Sequence, residues 1–162
     1  MRHTISLIVQ NHAGVLVRIA ELFSARGYNL EGLTVGATED RSLSRMTLVT
    51  RGDDRVIEQV TKQLNKLIDV IKVNDLTKEP FVERELLLLK VDASGDKRPE
   101  IMQIVEIFRA KIVDMSADSL MIEMTGRVDK VDALISMLRP FGMRELARSG
   151  VVGMKRDYKS EA

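Results

Sequence analysis

The chain has 162 residues, 44% of them apolar and 30% charged, enough to bury a core in one ordinary domain or two small ones. Twenty-five Lys and Arg against 24 Asp and Glu leave a formal charge of +1, interspersed along the chain, so no basic face is set out for nucleic acid. With no Cys, disulfides, thiolate nucleophiles and Cys metal sites are excluded, and the two His residues, His3 and His12, lack carboxylates at ligand spacing, so no metal site is expected and both read as solvated or capping.

The opening MRHTISLIVQN is interrupted by His3, Thr4 and Ser6 and is too short for a signal h-region or a membrane span. A cytoplasmic protein without a membrane partner is expected. Within that stretch Ile5, Leu7 and Val9 alternate with more polar neighbours, as in a strand buried on one face. From Gly14 to Ala25 the period changes to that of a helix, with Val15, Leu16, Ile19, Ala20, Leu22 and Phe23 on the apolar stripe and Gly27 as its stop.

YNLEGLTVGA and SRMTLVT, joined by TEDRSL, predict a hairpin. Asp53 then stands as an N-cap before the helical stripe Val56, Ile57, Val60, Leu64, Leu67 and Ile68, and VIKVND is a short fourth strand. The first half therefore reads βαββαβ. Around TKEPFVER the periodicity lapses and Pro80 intervenes, which predicts a linker.

ELLLLKVDA is an apolar strand, and Pro99 opens a helix carrying Ile101, Ile104, Val105 and Phe108. KIVDMSADSLMIEMTGR gives two strands around Ala117 and Asp118. Val131, Leu134, Ile135 and Leu138 form the second helix, and MRELARSGVVGMKR a last strand. Met115, Met121, Met124, Met137 and Met143 read as filling of the second core. The fold class is α+β, two tandem ferredoxin-like βαββαβ domains with antiparallel sheets and helices on one face. Such small units leave a sheet face and edges open, so self-association is expected, most simply as a homodimer.

In QNHAGVLVR, between the first strand and the first helix, Gly14 sits at the helix entry and has no Cβ to keep a ligand from the backbone. The free N–H groups of Gly14, Val15 and Leu16, with the positive end of the helix dipole, favour an anion by about 0.3–1 kcal/mol. Asn11 can accept from an ammonium, so the combination suits an α-amino acid. Asn29 and Leu30, at the start of the second strand, could complete the pocket from a neighbouring chain. The same residues also suit an ordinary turn and helix cap, and their spacing alone leaves that reading open.

Other chemistries find less support. An RNA-binding sheet would present aromatics for stacking, and TISLIVQ and RMTLVT contain none. HAGVLVR resembles the phosphate loop of acylphosphatases, with Arg18 as the anion-holding Arg, but Arg18 falls inside the predicted helix and the glycine cradle is thin. No Ser or Cys nucleophile stands near a His, and no P-loop or dinucleotide glycine pattern occurs.

Taken together, NHAGVLVRIAELFSARGYNLEGLTV, LSRMTLVT, QLNKLIDVIKV, VEREL with LLKV, EIFRAKIVDMS and ARSGVVGMKR resemble the small regulatory subunit of acetolactate synthase, also called acetohydroxyacid synthase, over nearly the whole chain. The resemblance implies an amino-acid-binding ACT domain over 1–77, a linker over 78–84 and a C-terminal ACT-like regulatory domain over 85–162. It implies an effector, typically valine and sometimes leucine or isoleucine, bound where two ACT domains meet in a homodimer. The family's binding positions fall on Asn11, His12, Ala13, Gly14, Val15, Leu16, Asn29 and Leu30. The catalytic partner it implies is a separate large subunit that uses thiamine diphosphate, Mg²⁺ and FAD to join two pyruvates, or pyruvate and 2-oxobutyrate. This chain would hold no cofactor, activate that subunit and confer valine feedback in branched-chain amino-acid biosynthesis. A free-standing ACT-type sensor acting on another partner is the other reading. Ala37 stands where relatives are expected to carry Pro, which touches the hairpin and not the loop.

Overall fold

The computed structural model describes residues 1–157. Its first half runs β1 (Arg2–Gln10), α1 (Val15–Ala25), β2 (Leu30–Ala37), β3 (Leu43–Arg51), α2 (Asp54–Leu64) and β4 (Val70–Asp75). The second runs β5 (Phe81–Asp92), α3 (Lys97–Ile107), β6 (Lys111–Met115), β7 (Ser119–Gly126), α4 (Val128–Leu138) and β8 (Met143–Lys155). The two four-stranded sheets have the orders β2-β3-β1-β4 and β6-β7-β5-β8, one topology used twice, and it is the ferredoxin-like one expected. The described residues divide into two compact units, Met1–Val82 with Val151–Asp157, and Glu83–Gly150.

In the first unit the odd positions of β1, Ile5, Leu7 and Val9, pack against Val15, Ile19 and Phe23 of α1 and Ile57, Val60 and Leu64 of α2. Asp53 caps α2 by accepting from the Val56 N–H at 2.9 Å, an arrangement worth about 1 kcal/mol. α1 ends in a Schellman turn: Gly27 at φ +65° donates to the Ser24 carbonyl and Tyr28 to the Phe23 carbonyl, and the Phe23 and Tyr28 rings meet edge to face at 6.1 Å. His3, expected to be solvated, is buried instead, with Nδ1 3.6 Å from Asp75 Oδ2. The parity of β1 dictates this, because an odd position shares the inward face of Ile5 and Leu7.

The other face of this sheet carries Thr4, Ser6 and Thr47, which are polar yet buried. Val151–Lys155 of β8 lies in this unit and contributes to covering them. Thr34 Oγ1 donates to the Val151 carbonyl at 2.7 Å, and the Gly153 N–H donates to Thr47 Oγ1 at 3.3 Å. A Cβ added at Gly153 would stand 2.8 Å from Leu76 Cδ1, so the close approach requires glycine. Two differences from the expected layout follow. Residues 81–84 are strand and not linker, since β5 already begins at Phe81, and Val151–Asp157 group with the first unit and not with the second, the last residues of the expected second domain, 158–162, lying outside the described ones.

In the second unit Leu87, Leu89 and Val91 point inward against Ile101, Ile104 and Val105 of α3 and Val131, Leu134, Ile135 and Leu138 of α4. The apolar run ELLLLK is thus buried on one side only, with Leu86 and Leu88 about a third exposed. Of the methionines assigned to this core, Met124 is buried and Met143 packs against it, whereas Met115 and Met137 are exposed. Met137 falls between the inward positions 134, 135 and 138, so the helical period turns it out.

α3 ends in the same Schellman geometry as α1, with Arg109 donating to the Glu106 carbonyl and Ala110 to the Val105 carbonyl, but the left-handed residue is Arg109, at φ +55°. A side chain there costs about 1–2 kcal/mol, partly offset by its smaller unfolded-state entropy. Arg109→Gly is therefore expected to stabilise the protein by about 0.5–1 kcal/mol, read as a higher urea midpoint at unchanged slope; an unmoved midpoint would refute the strain.

Candidate functional site

The loop between β1 and α1 is held from three sides. The Asn11 backbone N–H donates to the Ser42 carbonyl at 2.7 Å and its Nδ2 to the Arg41 carbonyl at 2.9 Å, which ties the loop to the tip of the β2–β3 hairpin. The NH₂ group is committed there, so Oδ1 is the Asn11 atom left to accept from a ligand. Asp69, just before β4, is nearly buried and takes His12 Nε2 at 2.9 Å and Arg18 Nη1 at 2.5 Å on its two carboxylate oxygens. Its backbone carbonyl also accepts from the Gln10 N–H at 2.8 Å. One residue therefore fixes the end of β1 through its backbone carbonyl and the loop and the first turn of α1 through its carboxylate.

Gly14 is the N-cap of α1, at φ +90° and ψ −16°, a conformation that penalises any residue with a Cβ. Its carbonyl accepts the helix's first bond, from the Arg18 N–H at 3.0 Å. Among the described residues no side chain caps this helix, and its first turn holds no acid, in contrast to α2 with Asp53 and Asp54. The N–H groups that open α1 are thus presented beside Asn11 with no protein carboxylate on them, the arrangement that receives an external anion. Val15 is buried and anchors the turn, Ala13 offers its carbonyl to His12 Nδ1, and Leu16 is 43% exposed as an apolar neighbour. A cleft of about 480 Å³ lies alongside, lined by Gln10, Asn11, His12, Ser42, Leu43 and Ile71.

Asn29 and Leu30 are not part of this cluster in a single chain. The register pairs Leu30 with Thr50 and Ala37 with Ser44 on β3, and Gln10 with Leu43 on the same strand. Asn29 thus lies at the His3 end of the sheet and Asn11 at the opposite end, about seven residues or 23 Å apart. Asn29 is exposed, its carbonyl accepting from Thr50 Oγ1 at 2.5 Å, and Leu30 packs on the edge of the core. Sequence reasoning missed Asp69 and the use of Arg18. The available signal was an acid inside the apolar stretch LIDVIKV, since a carboxylate in such a setting needs partners. Arg18 is committed to that partnership, so it is not the free guanidinium an acyl-phosphate loop needs.

The imidazolium of His12 donates both ring protons, to the Ala13 carbonyl first and then to Asp69, which raises its pKa above the ordinary 6.5. The loop stabilisation this supplies is complete below pH about 6.5 and is lost as pH rises through the raised folded value. A titration of His12 by NMR is expected to show a midpoint above 6.5, moved part of the way back by Asp69→Asn. An ordinary midpoint in the unsubstituted protein would refute the clamp.

Residues 5–72 match the family described as the AHAS small subunit-like ACT domain, and residues 84–157 the small subunit of acetolactate synthase. The chain is 57% identical over 159 residues to a protein of Archaeoglobus fulgidus described as "Probable acetolactate synthase small subunit", with 98% of this chain and 99% of that one covered. It is 54% identical to the acetolactate synthase small subunit of Aquifex aeolicus, covering 96% of this chain and 82% of the relative. The crystal structure of the acetolactate synthase small subunit of Thermotoga maritima superposes with a TM-score of 0.89 at 43% identity, covering 98% of this chain and 99% of that one. The chain belongs to the acetolactate synthase small-subunit family and carries that family's ACT domain at its N-terminal end.

Proposed function

We propose that this protein binds valine or a close branched-chain amino acid at the α1 entrance, and that it activates a separate catalytic subunit and restrains it when the amino acid accumulates. The observation that carries the reading is the uncapped start of α1 at Gly14, three residues after an Asn whose NH₂ group is tied to the Arg41 carbonyl and whose Oδ1 is left to accept. The amino-acid carboxylate takes the helix N–H groups, the ammonium takes Asn11 Oδ1, and the apolar side chain lies toward Leu16. His12 and Ala13 shape the loop through the Asp69 clamp.

The position of Asn29 and Leu30 supports a homodimer. β2 is an edge strand, so two copies can pair it antiparallel about a two-fold axis. That pairing sets the Asn29 end of one copy against the Ala37 end of the other, next to the hairpin that holds Asn11. Each site is then closed by the second copy, and an occupant biases how the two copies are arranged. Coupling of this kind is usually about 1–3 kcal/mol, enough to alter an enzyme bound to the dimer. The proposed partner is the large cytoplasmic catalytic subunit, which would hold the thiamine diphosphate, Mg²⁺ and FAD.

Gly14→Asp is expected to place a strained side chain and a negative charge where the amino-acid carboxylate sits. Valine inhibition of the reconstituted enzyme should weaken by about tenfold or more while activation persists. Titration calorimetry of the isolated chain with valine, leucine, isoleucine and a polar amino acid checks the binding itself. Full valine sensitivity in the variant would defeat the site, and failure of a catalytic subunit to co-purify would favour a free-standing sensor.

A further inference from the structure

On the face of the first sheet away from the helices, a cleft of about 350 Å³ opens between the β2–β3 hairpin and the chain at Val152 and Met154. Its volume is that of a small-molecule site. Gly36 and Arg45 pair across the hairpin, and Thr34 pairs with Thr47 next to them, so these four positions share one stretch of the cleft wall.

Arg45 is the unusual member. It is half-buried, and Nη1 donates to Ser6 Oγ at 3.0 Å, yet among the described residues no carboxylate lies within ion-pair distance of it. Two more exposed arginines of the second unit are used differently: Arg144 holds Asp92 and Asp118, and Arg148 holds Glu85 and Asp132. A partly desolvated guanidinium with donors to spare is a carboxylate receptor. Opposite it, a Cβ built on Gly36 would meet nothing within 4 Å, so the space beside Arg45 is open. Val152 and Met154, 54% and 56% exposed, supply an apolar wall at the same cleft, and a thioether adapts its shape to small apolar groups. Glu39 at the rim adds a negative charge that disfavours a multiply charged anion.

We propose that this cleft is a second ligand site, for a small monocarboxylate with a short apolar chain, its carboxylate on Arg45 and its chain against Val152 and Met154. It shares no residue with the Gly14 loop and does not depend on the function assigned to that loop.

The test is methyl NMR of the full chain titrated with isovalerate, isobutylamine and inorganic phosphate. Isovalerate is expected to shift the Thr34, Thr47, Val152 and Met154 methyls saturably, and isobutylamine and phosphate are not. Arg45→Gln should weaken the isovalerate effect about tenfold or more. Gly36→Leu, which fills the open space at a position without positive φ, should abolish it, while Gly14→Asp should leave it unchanged. Absence of saturable shifts with isovalerate, an equal response to isobutylamine or phosphate, or an isovalerate response that survives both Arg45→Gln and Gly36→Leu would overturn the proposal.

Discussion

The first module is organised around a nearly buried carboxylate. Asp69 loses most of its water on folding, and an unpaired charge in that position would be strongly unfavourable. It is stable only because His12 and Arg18 reach it from the loop and from α1, and because its own carbonyl anchors the end of β1. Both partners are about half exposed, which screens the pairs and makes the net stabilisation smaller than for a sealed ion pair. Positional restraint is the larger consequence. The three bonds leave the entrance of α1 a single direction, with Gly14 turned into the left-handed region and the first N–H groups facing outward.

Much of this architecture was legible because it is local. The period of two in Ile5, Leu7 and Val9, the inward positions Val15, Ile19, Phe23, Ile57, Val60 and Leu64, and the caps at Asp53 and Gly27 each depend on neighbours a few residues away and stand where the pattern put them. Leu16 and Ala20, by contrast, are exposed, and Leu67 and Ile68 follow the end of α2, with Ile68 85% exposed. Gly14 was legible for the same reason. Features that depend on distant pairing were not. Pro80 read as a break, but β5 starts one residue later; the stretch from Val151 on read as part of the second module, but its hydrogen bonds run to Thr34 and Thr47. Asp69 belongs to this class too, since its partners lie 57 and 51 residues away. Asn29 lay close to α1 in sequence, and only the strand register shows that it stands at the far end of the sheet.

The topology of the first module is repeated in the second. The second module has a loop in the corresponding place, between β5 and α3, also with a left-handed glycine, Gly95 at φ +60°. There, however, the nearby arginines are engaged within the chain. Arg98 folds back to donate to the carbonyls of Ala93, Ser116 and Ala117, and Arg144 is held between Asp92 and Asp118. Asp92 and Asp118 stand among these arginines, and Asp118 is held below the usual carboxylate range by Arg144 and Ser116. An incoming carboxylate would meet like charge and no unengaged guanidinium. Both helix starts lack a side-chain cap, but the first turn of α1 holds no acid and the neighbouring Asp69 is paired with His12 and Arg18, whereas the first turn of α3 holds Glu100 and the arginines near it are engaged. That asymmetry, set by which residues surround two corresponding turns, is why an amino-acid site is proposed for the first module alone.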